Sequence, residues 1–356
     1  MPLRLARGNP RLPVVGDFDA FLLLSFGGPE APEHVMPFLE NVTRGRGVPR
    51  ERLLEVAQHY AHLGGKSPIN DQNRALLEQV ATALRTAGLP LRTYFGNRNW
   101  HPLLADTLRA MRADGVRRAV VYATSAYRSY SGCRQYIEDL ERAQQQVDDA
   151  PELVKLPAFW DHPRFVAACA ARLCEARTDY AARTSQGRAE QARIVFTAHS
   201  IPQAMAATCA YEADLRETAH HAIARACPDA AWDLVYQSRS GPPSVPWLEP
   251  DILDHLRALP ARGVRDVIVV PIGFLCDHVE VIWDLDHEAA GVARDLGLGF
   301  HRGATVGSHP EMVATIVELV QECMGRKPRS SLSARGPAPL QCAPSCCAYT
   351  PRRPGS

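Results

Sequence analysis

Short, continuous apolar runs rich in β-branched residues recur along this chain, and each run ends abruptly in polar or glycine-containing sequence. Runs of this kind are typical of strands buried on both faces, as in parallel sheets. Helical patterns fill the gaps between the runs, which indicates an α/β fold. In open parallel sheets the ligand lies at the carboxyl ends of the strands, so we expect the chemistry there. The predicted strands are 18–26, 91–95, 119–124, 194–198, 234–236 and 267–271.

The two halves of the chain resemble each other. The sequence GVRRAVV at 115–121 parallels GVRDVIV at 263–269, TYFGNRNW around Arg98 parallels VYQSRSG around Arg239, and LLLSFGGP parallels VFTAHSIP. We therefore predict two similar Rossmann-like lobes, each a parallel sheet flanked by helices, which face each other across a cleft. The predicted boundaries are an N-terminal extension at 1–16, lobes at 17–157 and 158–327, and a Pro-, Ser- and Cys-containing tail at 328–356 that we do not expect to pack.

Composition excludes several functional classes. The chain has 46% hydrophobic and 22% charged residues with a formal net charge of +1, whereas nucleic-acid binders normally carry a basic stripe. No apolar run approaches the roughly 18 residues of a membrane span, and the first residues lack the apolar core of a signal peptide. We expect a cytoplasmic protein that binds neither nucleic acid nor membrane and acts as a monomer.

The segment 271–288 concentrates carboxylates and imidazoles directly after an apolar strand. If it turns helical after Phe274, then Asp277, Glu280, Asp284 and His287 line one face. Carboxylates and imidazoles without Lys or Arg bind hard divalent cations and move protons. A charged surface helix is the alternative interpretation of this segment.

His199 ends a predicted strand and is followed by Ser200. A neutral histidine fixed by a strand can accept a proton or ligate a metal, although a histidine at a strand end is more often structural. A serine hydrolase is disfavoured, because no G-x-S-x-G elbow occurs and Ser200 directly follows its own would-be base. Phosphate-binding glycine patterns are likewise missing from the sequence.

Six motifs in this order resemble the ferrochelatase family: FLLLSFGGPE, GGKSPIN, FGNRNWHP, FTAHSIP, YQSRSGPPSVPWLEP and GFLCDHVEVIWDLDHE. The segment NVTRGRGVP and the cysteine-bearing tail resemble the actinobacterial branch in particular. The resemblance spans about 17–327. It implies a chelatase-like fold and an enzyme that inserts Fe²⁺ into a porphyrin. The actinobacterial branch implies coproporphyrin III as substrate and coprohaem as product.

The resemblance also implies roles for residues of the acidic segment. His199 and Glu280 would be catalytic and would handle pyrrole protons and Fe²⁺. The resemblance does not decide which of the two is the base and which is the metal donor. Asp284 and His287 would extend the path for metal or protons, and Asp277 and His278 would hold the start of the helix. Family members carry a π-type turn in this helix, which would shift the predicted phasing.

A porphyrin needs flat apolar walls and cations for its propionates. Phe26 and Tyr127 follow strand ends and are the predicted walls. The secondary wall candidates are Ile69, Trp247 and Trp283. The predicted propionate-binding arginines are Arg44, Arg46 and Arg128.

Three of the ten cysteines, Cys342, Cys346 and Cys347, cluster in the tail. In a cytosolic protein such clustering indicates metal binding rather than disulfides. A [2Fe–2S] cluster needs four ligands. The resemblance to actinobacterial relatives points to Cys133 as the fourth, with Cys323 as its rival. A zinc site or redox-sensitive thiols remain alternatives.

Other functions stay open at this point. They are a protoporphyrin IX ferrochelatase, a cobalt chelatase of a corrin pathway and a non-catalytic tetrapyrrole carrier on the same fold. The carrier would not need both His199 and Glu280, and cobalt chelatases typically present additional histidines.

Overall fold

The computed structural model describes residues 16–45, 47–241 and 244–350, and these residues form two parallel sheets of four strands each. The first sheet has the order β2-β1-β3-β4, and the second has the order β6-β5-β7-β8. The strands are β1 Ala20–Ser25, β2 Arg92–Asn97, β3 Arg118–Ala123, β4 Glu152–Lys155, β5 Arg193–His199, β6 Trp232–Gln237, β7 Asp266–Val270 and β8 Gly299–Arg302.

Both sheets have the same strand order, as the internal repeat predicts. The predicted runs correspond to β1, β2, β3, β5, β6 and β7, and every pairing is parallel. The sequence analysis missed β4 and β8, each of which lies at the edge of its sheet. Their sequences, ELVK and GFHR, are largely half-buried, so they lack the continuous apolar pattern that buried strands show.

Helices connect the strands and cover both faces of each sheet. They are α1 Val35–Val42, α2 Arg50–His62, α3 Ile69–Thr86, α4 Leu104–Ala113, α5 Gln135–Gln144, α6 Pro163–Arg183, α7 Gln186–Gln191, α8 Gln203–Ala206, α9 Tyr211–Ala226, α10 Ile252–Ala258, α11 Val279–Val281, α12 Ala290–Asp295 and α13 Pro310–Cys323. Short 3₁₀ turns are Pro32–His34 and Pro260–Arg262, and π-helical segments are Tyr130–Arg134 and Ile282–Ala289. None of these helices is both long and apolar enough to cross a membrane.

The largest apolar core joins the two halves of the molecule. It contains Phe21 and Leu23 of β1, Phe196 of β5 and side chains of α3, α6, α9 and α13. Each sheet also has a core on its other face, packed against α4 and α5 in the first lobe and against α10, the π-helix and α12 in the second. Helix α13 packs against both α6 and α3. The exact lobe boundaries at 157 and 327 remain a prediction.

The expectation that the tail does not pack is wrong for its described part, 328–350. Arg335 lies 2.6 Å from Glu217, the backbone N–H of Leu332 donates to the Asp161 carbonyl, and Ala338 and Cys347 are buried. Composition suggested disorder because the tail is rich in Pro and Ser. It packs nonetheless, because some of its charged and apolar side chains contact the second lobe, and Tyr349 contacts Tyr130 of the first lobe.

Candidate active site between the lobes

Two residues of the second lobe form the centre of the candidate site. His199 is the last residue of β5, and its Nε2 lies 3.8 Å from Oε2 of Glu280 in α11. Nδ1 of His199 contacts the Ser200 carbonyl, which can only accept a hydrogen bond, so Nδ1 carries the proton. Nε2 is the ring nitrogen that faces Glu280. Both side chains keep solvent access, at 34% and 54% exposed, so a substrate can reach them.

The helix that carries Glu280 begins later than the sequence pattern predicts. Its first turn is α11 at Val279, and it continues as the π-helix Ile282–Ala289 and then as α12. We call residues 279–295 the acidic helix. Asp277 lies before it, so the prediction that Asp277 shares a helical face with Glu280 is wrong. The π-type winding implied by the family resemblance is confirmed.

Asp284 and Glu288 follow Glu280 along the acidic helix. Asp284 lies four residues from each of the other two. After burial, which is the largest effect, the negative charges of Glu280 and Glu288 both raise the pKa of Asp284. Residues four apart are also neighbours on an ordinary α-helix. His287 contacts His62 and Trp283.

Asp284 is held by two side chains at the end of β6. Ser238 donates its hydroxyl to Oδ2 of Asp284, and Nε2 of Gln237 donates to the same oxygen at 3.2 Å. Burial raises the pKa of Asp284 to about 7, against the lowering effect of the Ser238 hydrogen bond. Ser238 has φ +61°, a left-handed conformation that is uncommon for a residue other than glycine.

Trp283 and His287 belong to a ring cluster with α2 of the first lobe. His59 stacks on Trp283 with ring centroids 4.1 Å apart, and His62 lies 4.9 Å from His287. Nε1 of Trp283 donates to Glu288 at 3.0 Å. A cavity of about 530 Å³ on the outer side of the acidic helix is lined by both Trp283 and His287. The predicted porphyrin wall at Trp283 thus contacts histidines.

The predicted walls differ in exposure. Phe26 is 38% exposed and packs edge-on against Phe38, with the Arg98 guanidinium over its ring. Tyr127 is 2% exposed, and its hydroxyl donates to the Ile272 carbonyl at 2.8 Å. That leaves little of the Tyr127 ring to touch a macrocycle. The secondary candidates Ile69 and Trp247 are also buried, at 4% and 9% exposed.

Arg128 is engaged in an ion pair. Its Nε and Nη2 donate to the two carboxylate oxygens of Asp214 at 2.8 and 2.5 Å, and its guanidinium stacks over Trp160. Asp214 is fully buried, so this cation neutralises a buried charge. Arg44 is exposed, and Arg46 lies outside the described residues.

The tail brings its cysteines towards Cys133. Sγ of Cys346 lies 3.8 Å from Sγ of Cys347. Burial, and after it the neighbouring Cys346 and Cys133 thiols, raise the pKa of Cys342 to about 11. Burial and the same neighbours also raise the pKa of Cys347. The buried rival Cys323 lies on α13 near Arg118 and Arg329.

These thiols fit an iron–sulfur cluster in donor chemistry, since four thiolates are its usual ligands. Within the described residues, however, no group of three or more His, Cys, Asp or Glu side chains is arranged to hold one metal ion. The four cysteines are therefore neighbours without forming a closed ligand cage.

Sequence reasoning assigned no role to Gln72, Ser238 or the α2 histidines His59 and His62. Ser238 stands in the YQSRSG motif at a predicted strand end, which was a usable signal. Gln72 lies in the first turn of α3 and bonds to the backbone of Asp277. Nothing local in the sequence indicates a partner 205 residues away.

Comparison with known sequences gives a consistent result. The profile of the family described as Ferrochelatase matches residues 18–324. The chain is 48% identical over 340 residues to the ferrochelatase of Rhodopirellula baltica, covering 95% of each chain. It is 50% identical to the coproporphyrin III ferrochelatase of Mycolicibacterium smegmatis, covering 93% of this chain and 99% of the relative. The coproporphyrin III ferrochelatase of Nocardia farcinica is 51% identical, with coverage of 95% and 98%.

Solved structures share the fold at low sequence identity. SirB from Bacillus subtilis with Fe³⁺ aligns with a TM-score of 0.53 and 12% identity, covering 86% of this chain and 96% of that one. The sirohydrochlorin chelatase SirB from Bacillus subtilis subspecies spizizenii in complex with cobalt aligns with a TM-score of 0.50 and 11% identity, with coverage of 86% and 95%. These likenesses show a chelatase-type α/β fold.

Proposed function

Because the chain belongs to the ferrochelatase family, we propose that it inserts Fe²⁺ into coproporphyrin III to give coprohaem. The observation that carries the chemistry is the pair formed by Nε2 of His199 and Oε2 of Glu280, 3.8 Å apart and open to solvent. The choice of coproporphyrin III is supported by the names of the relatives from Mycolicibacterium smegmatis and Nocardia farcinica. The proposal keeps the cytoplasmic, monomeric enzyme that the sequence predicts.

Metal insertion removes two pyrrole N–H protons while Fe²⁺ enters the macrocycle, so the site must accept protons and present a metal. His199 is suited to this step because its Nδ1 proton is committed to Ser200, which leaves Nε2 as a base or ligand. Glu280 supplies a carboxylate on the opposite side of the same gap. Either group can accept a pyrrole proton while the other holds the iron.

Protons then leave along the acidic helix in this proposal. Asp284 follows Glu280, and its pKa of about 7 lets it take up and release protons near neutral pH. Glu288 is the next carboxylate in the series. His287, beside Trp283 and His62, lies at the outer end, where it can exchange protons or iron with solvent.

The macrocycle would lie against Phe26, the more exposed of the two predicted walls, with Trp283 at its border. Arg44 and Arg46 remain the proposed partners of the propionates. Coproporphyrin III has four propionates and protoporphyrin IX has two, so the former gains more from such cations. Tyr127 and Arg128 act in this proposal as the framework behind the site, because each is already bonded within the protein.

We also propose that Cys133, Cys342, Cys346 and Cys347 hold a [2Fe–2S] cluster. The proximity of the tail thiols to Cys133 supports this ligand set over one that contains Cys323. When bound, such a cluster supplies a one-electron redox centre. The four cysteines would tie the tail to the π-helical turn Tyr130–Arg134 that carries Cys133.

The test is anaerobic incubation of the protein with Fe²⁺ and either coproporphyrin III or protoporphyrin IX, followed by the change of the Soret band. We expect faster insertion into coproporphyrin III. A clear preference for protoporphyrin IX would refute the substrate, and metal insertion into neither porphyrin would refute the proposed function. Parallel reactions with Co²⁺ and sirohydrochlorin test the cobalt chelatase alternative.

A further inference from the structure

The loop between β7 and the acidic helix, residues 271–278, contacts both lobes at several points. At its start, the Tyr127 hydroxyl donates to the Ile272 carbonyl at 2.8 Å. Next, Gly273 packs so closely on β5 that an added Cβ would lie 2.4 Å from Cβ of Ala198. Just after its end, Val279 is buried among Phe38, Tyr60 and other apolar side chains of α1 and α2. The loop is therefore clamped between both lobes.

Gln72 holds the last part of this loop through a reciprocal pair of hydrogen bonds. Its Oε1 accepts from the backbone N–H of Asp277 at 2.9 Å, and its Nε2 donates to the backbone carbonyl of Asp277 at 3.2 Å. A carboxamide carries a donor and an acceptor in one plane, as a peptide group does. Two such bonds fix both the position and the orientation of the residue they hold.

The side chain of Asp277 is fixed as well. Its Oδ1 accepts from Nη1 of Arg302 at 2.7 Å, and its Oδ2 accepts from the Thr305 hydroxyl at 3.3 Å. Arg302 also binds both oxygens of Asp286 on the acidic helix. Asp277 thus joins three parts of the molecule: α3 of the first lobe, the Arg302 region of the second lobe and the start of the acidic helix.

Glu280 follows Asp277 by three residues, and Gln72 touches neither Glu280 nor His199 in any bond that the structure shows. The reciprocal bonds span the two lobes and can form only when α3 and the loop are correctly spaced. We propose that Gln72 is a positioning residue for metal insertion, which transmits the spacing of the lobes to Glu280 and keeps its carboxylate opposite Nε2 of His199. This inference rests on the proposed roles of His199 and Glu280.

The test compares Gln72→Ala and Gln72→Glu with the matched control Gln144→Ala. Gln144 is also half-buried and also donates from Nε2 to a backbone carbonyl, that of Pro151 at 2.9 Å, but within the first lobe. Each variant is measured for kcat and KM with Fe²⁺ and coproporphyrin III and for Tm. Hydrogen–deuterium exchange is followed in peptides covering 274–281.

We expect Gln72→Ala to lower kcat about 10- to 100-fold, because small displacements of catalytic groups have effects of that size. KM for the porphyrin and Tm should change no more than in Gln144→Ala, and exchange should increase in 274–281. In Gln72→Glu the loss should shrink as the pH is lowered, because a protonated carboxyl again donates to the Asp277 carbonyl.

A kcat of Gln72→Ala equal to that of Gln144→Ala would overturn the inference, as would unchanged exchange in 274–281. These outcomes differ from failure of the proposed function, in which the wild-type protein itself would insert no metal. The exchange measurement needs no activity, so it tests the clamp even in that case.

Discussion

Nε2 of His199 faces Oε2 of Glu280 at 3.8 Å, although the two residues lie 81 positions apart in the chain. This distance is too long for a direct hydrogen bond. It leaves the two groups close enough to act on the same proton or the same metal ion. The orientation of the His199 ring is set by Ser200, whose carbonyl accepts from Nδ1.

Replacing either member of the pair should slow metal insertion strongly. We expect His199→Ala and Glu280→Gln each to lower kcat by about 10²- to 10⁴-fold, the usual contribution of a positioned acid or base. The double variant should lose little more than the worse single variant, because groups that act as a unit are not additive. Soret-band kinetics measure this, with the exposed His220→Ala as control. Near wild-type activity in either single variant would remove that residue from the chemistry.

The pH dependence of kcat for metal insertion should reflect the titration of Asp284. Burial raises its pKa to about 7, so the carboxylate that accepts protons forms only as the pH rises through that value. We expect kcat to rise with pH to a midpoint near 7 and Asp284→Asn to abolish this rise. Ser238→Ala should move the midpoint upward, because the Ser238 hydrogen bond lowers the pKa. A midpoint unaffected by both variants would assign the titration to another group.

Asp284 should also make stability depend on pH. Its pKa is higher in the folded protein than the value of about 3.9 expected in the unfolded chain, so the folded state binds the proton more tightly. Its contribution to stability is therefore present below about pH 4 and declines as the pH rises towards 7. Asp284→Asn should raise Tm at pH 8 relative to wild type and have a smaller effect at pH 5. Thermal unfolding at both pH values checks the sign.

Arg128 should matter for stability more than for substrate binding. Its removal leaves the fully buried Asp214 without its bidentate partner, so Arg128→Leu should lower the free energy of unfolding by about 3–5 kcal/mol. Adding Asp214→Leu should recover much of this loss, because no buried charge then remains. Urea unfolding measures both effects. If KM for coproporphyrin III rises strongly in Arg128→Leu with no loss of stability, Arg128 is a propionate ligand instead.

Visible absorption spectroscopy of serine variants can distinguish the cysteines that bind the proposed cluster from those that do not. Wild-type protein purified without oxygen should be coloured, and serine at Cys133, Cys342, Cys346 or Cys347 should remove the visible bands. Cys323→Ser and the exposed Cys174→Ser are the matched controls and should keep them. A colourless wild type would end the cluster proposal, and loss of colour in Cys323→Ser with colour retained in Cys133→Ser would transfer the fourth position to Cys323.

Much of the fold could be predicted from sequence, because buried parallel strands leave a continuous apolar signal. The edge strands β4 and β8 could not, since half-buried edges lack that signal. His199 was predictable from its place at a strand end. The contact of His287 with His62 was not, because it depends on how the acidic helix packs against α2 of the first lobe.

The partners of Tyr127, Arg128 and Gln72 were beyond sequence reasoning for another reason. Each bonds to the second lobe more than 80 residues away, and strand and helix periodicities describe only near neighbours. For Tyr127 and Arg128, which follow a strand end, the sequence pattern is the same whether the side chain contacts a substrate or the other lobe. Only the three-dimensional structure distinguishes a contact with substrate from a contact with the other lobe.

The packing of α13 against both α6 and α3 has a consequence for biosynthesis. Helix α3 is complete once residue 86 has been made, but the helix that covers it ends at Cys323. During translation the amino-terminal lobe therefore keeps part of its apolar surface exposed until residue 323 has left the ribosome. Nascent chains that stop short of α13 should bind chaperones and be degraded rather than accumulate as a stable half-molecule.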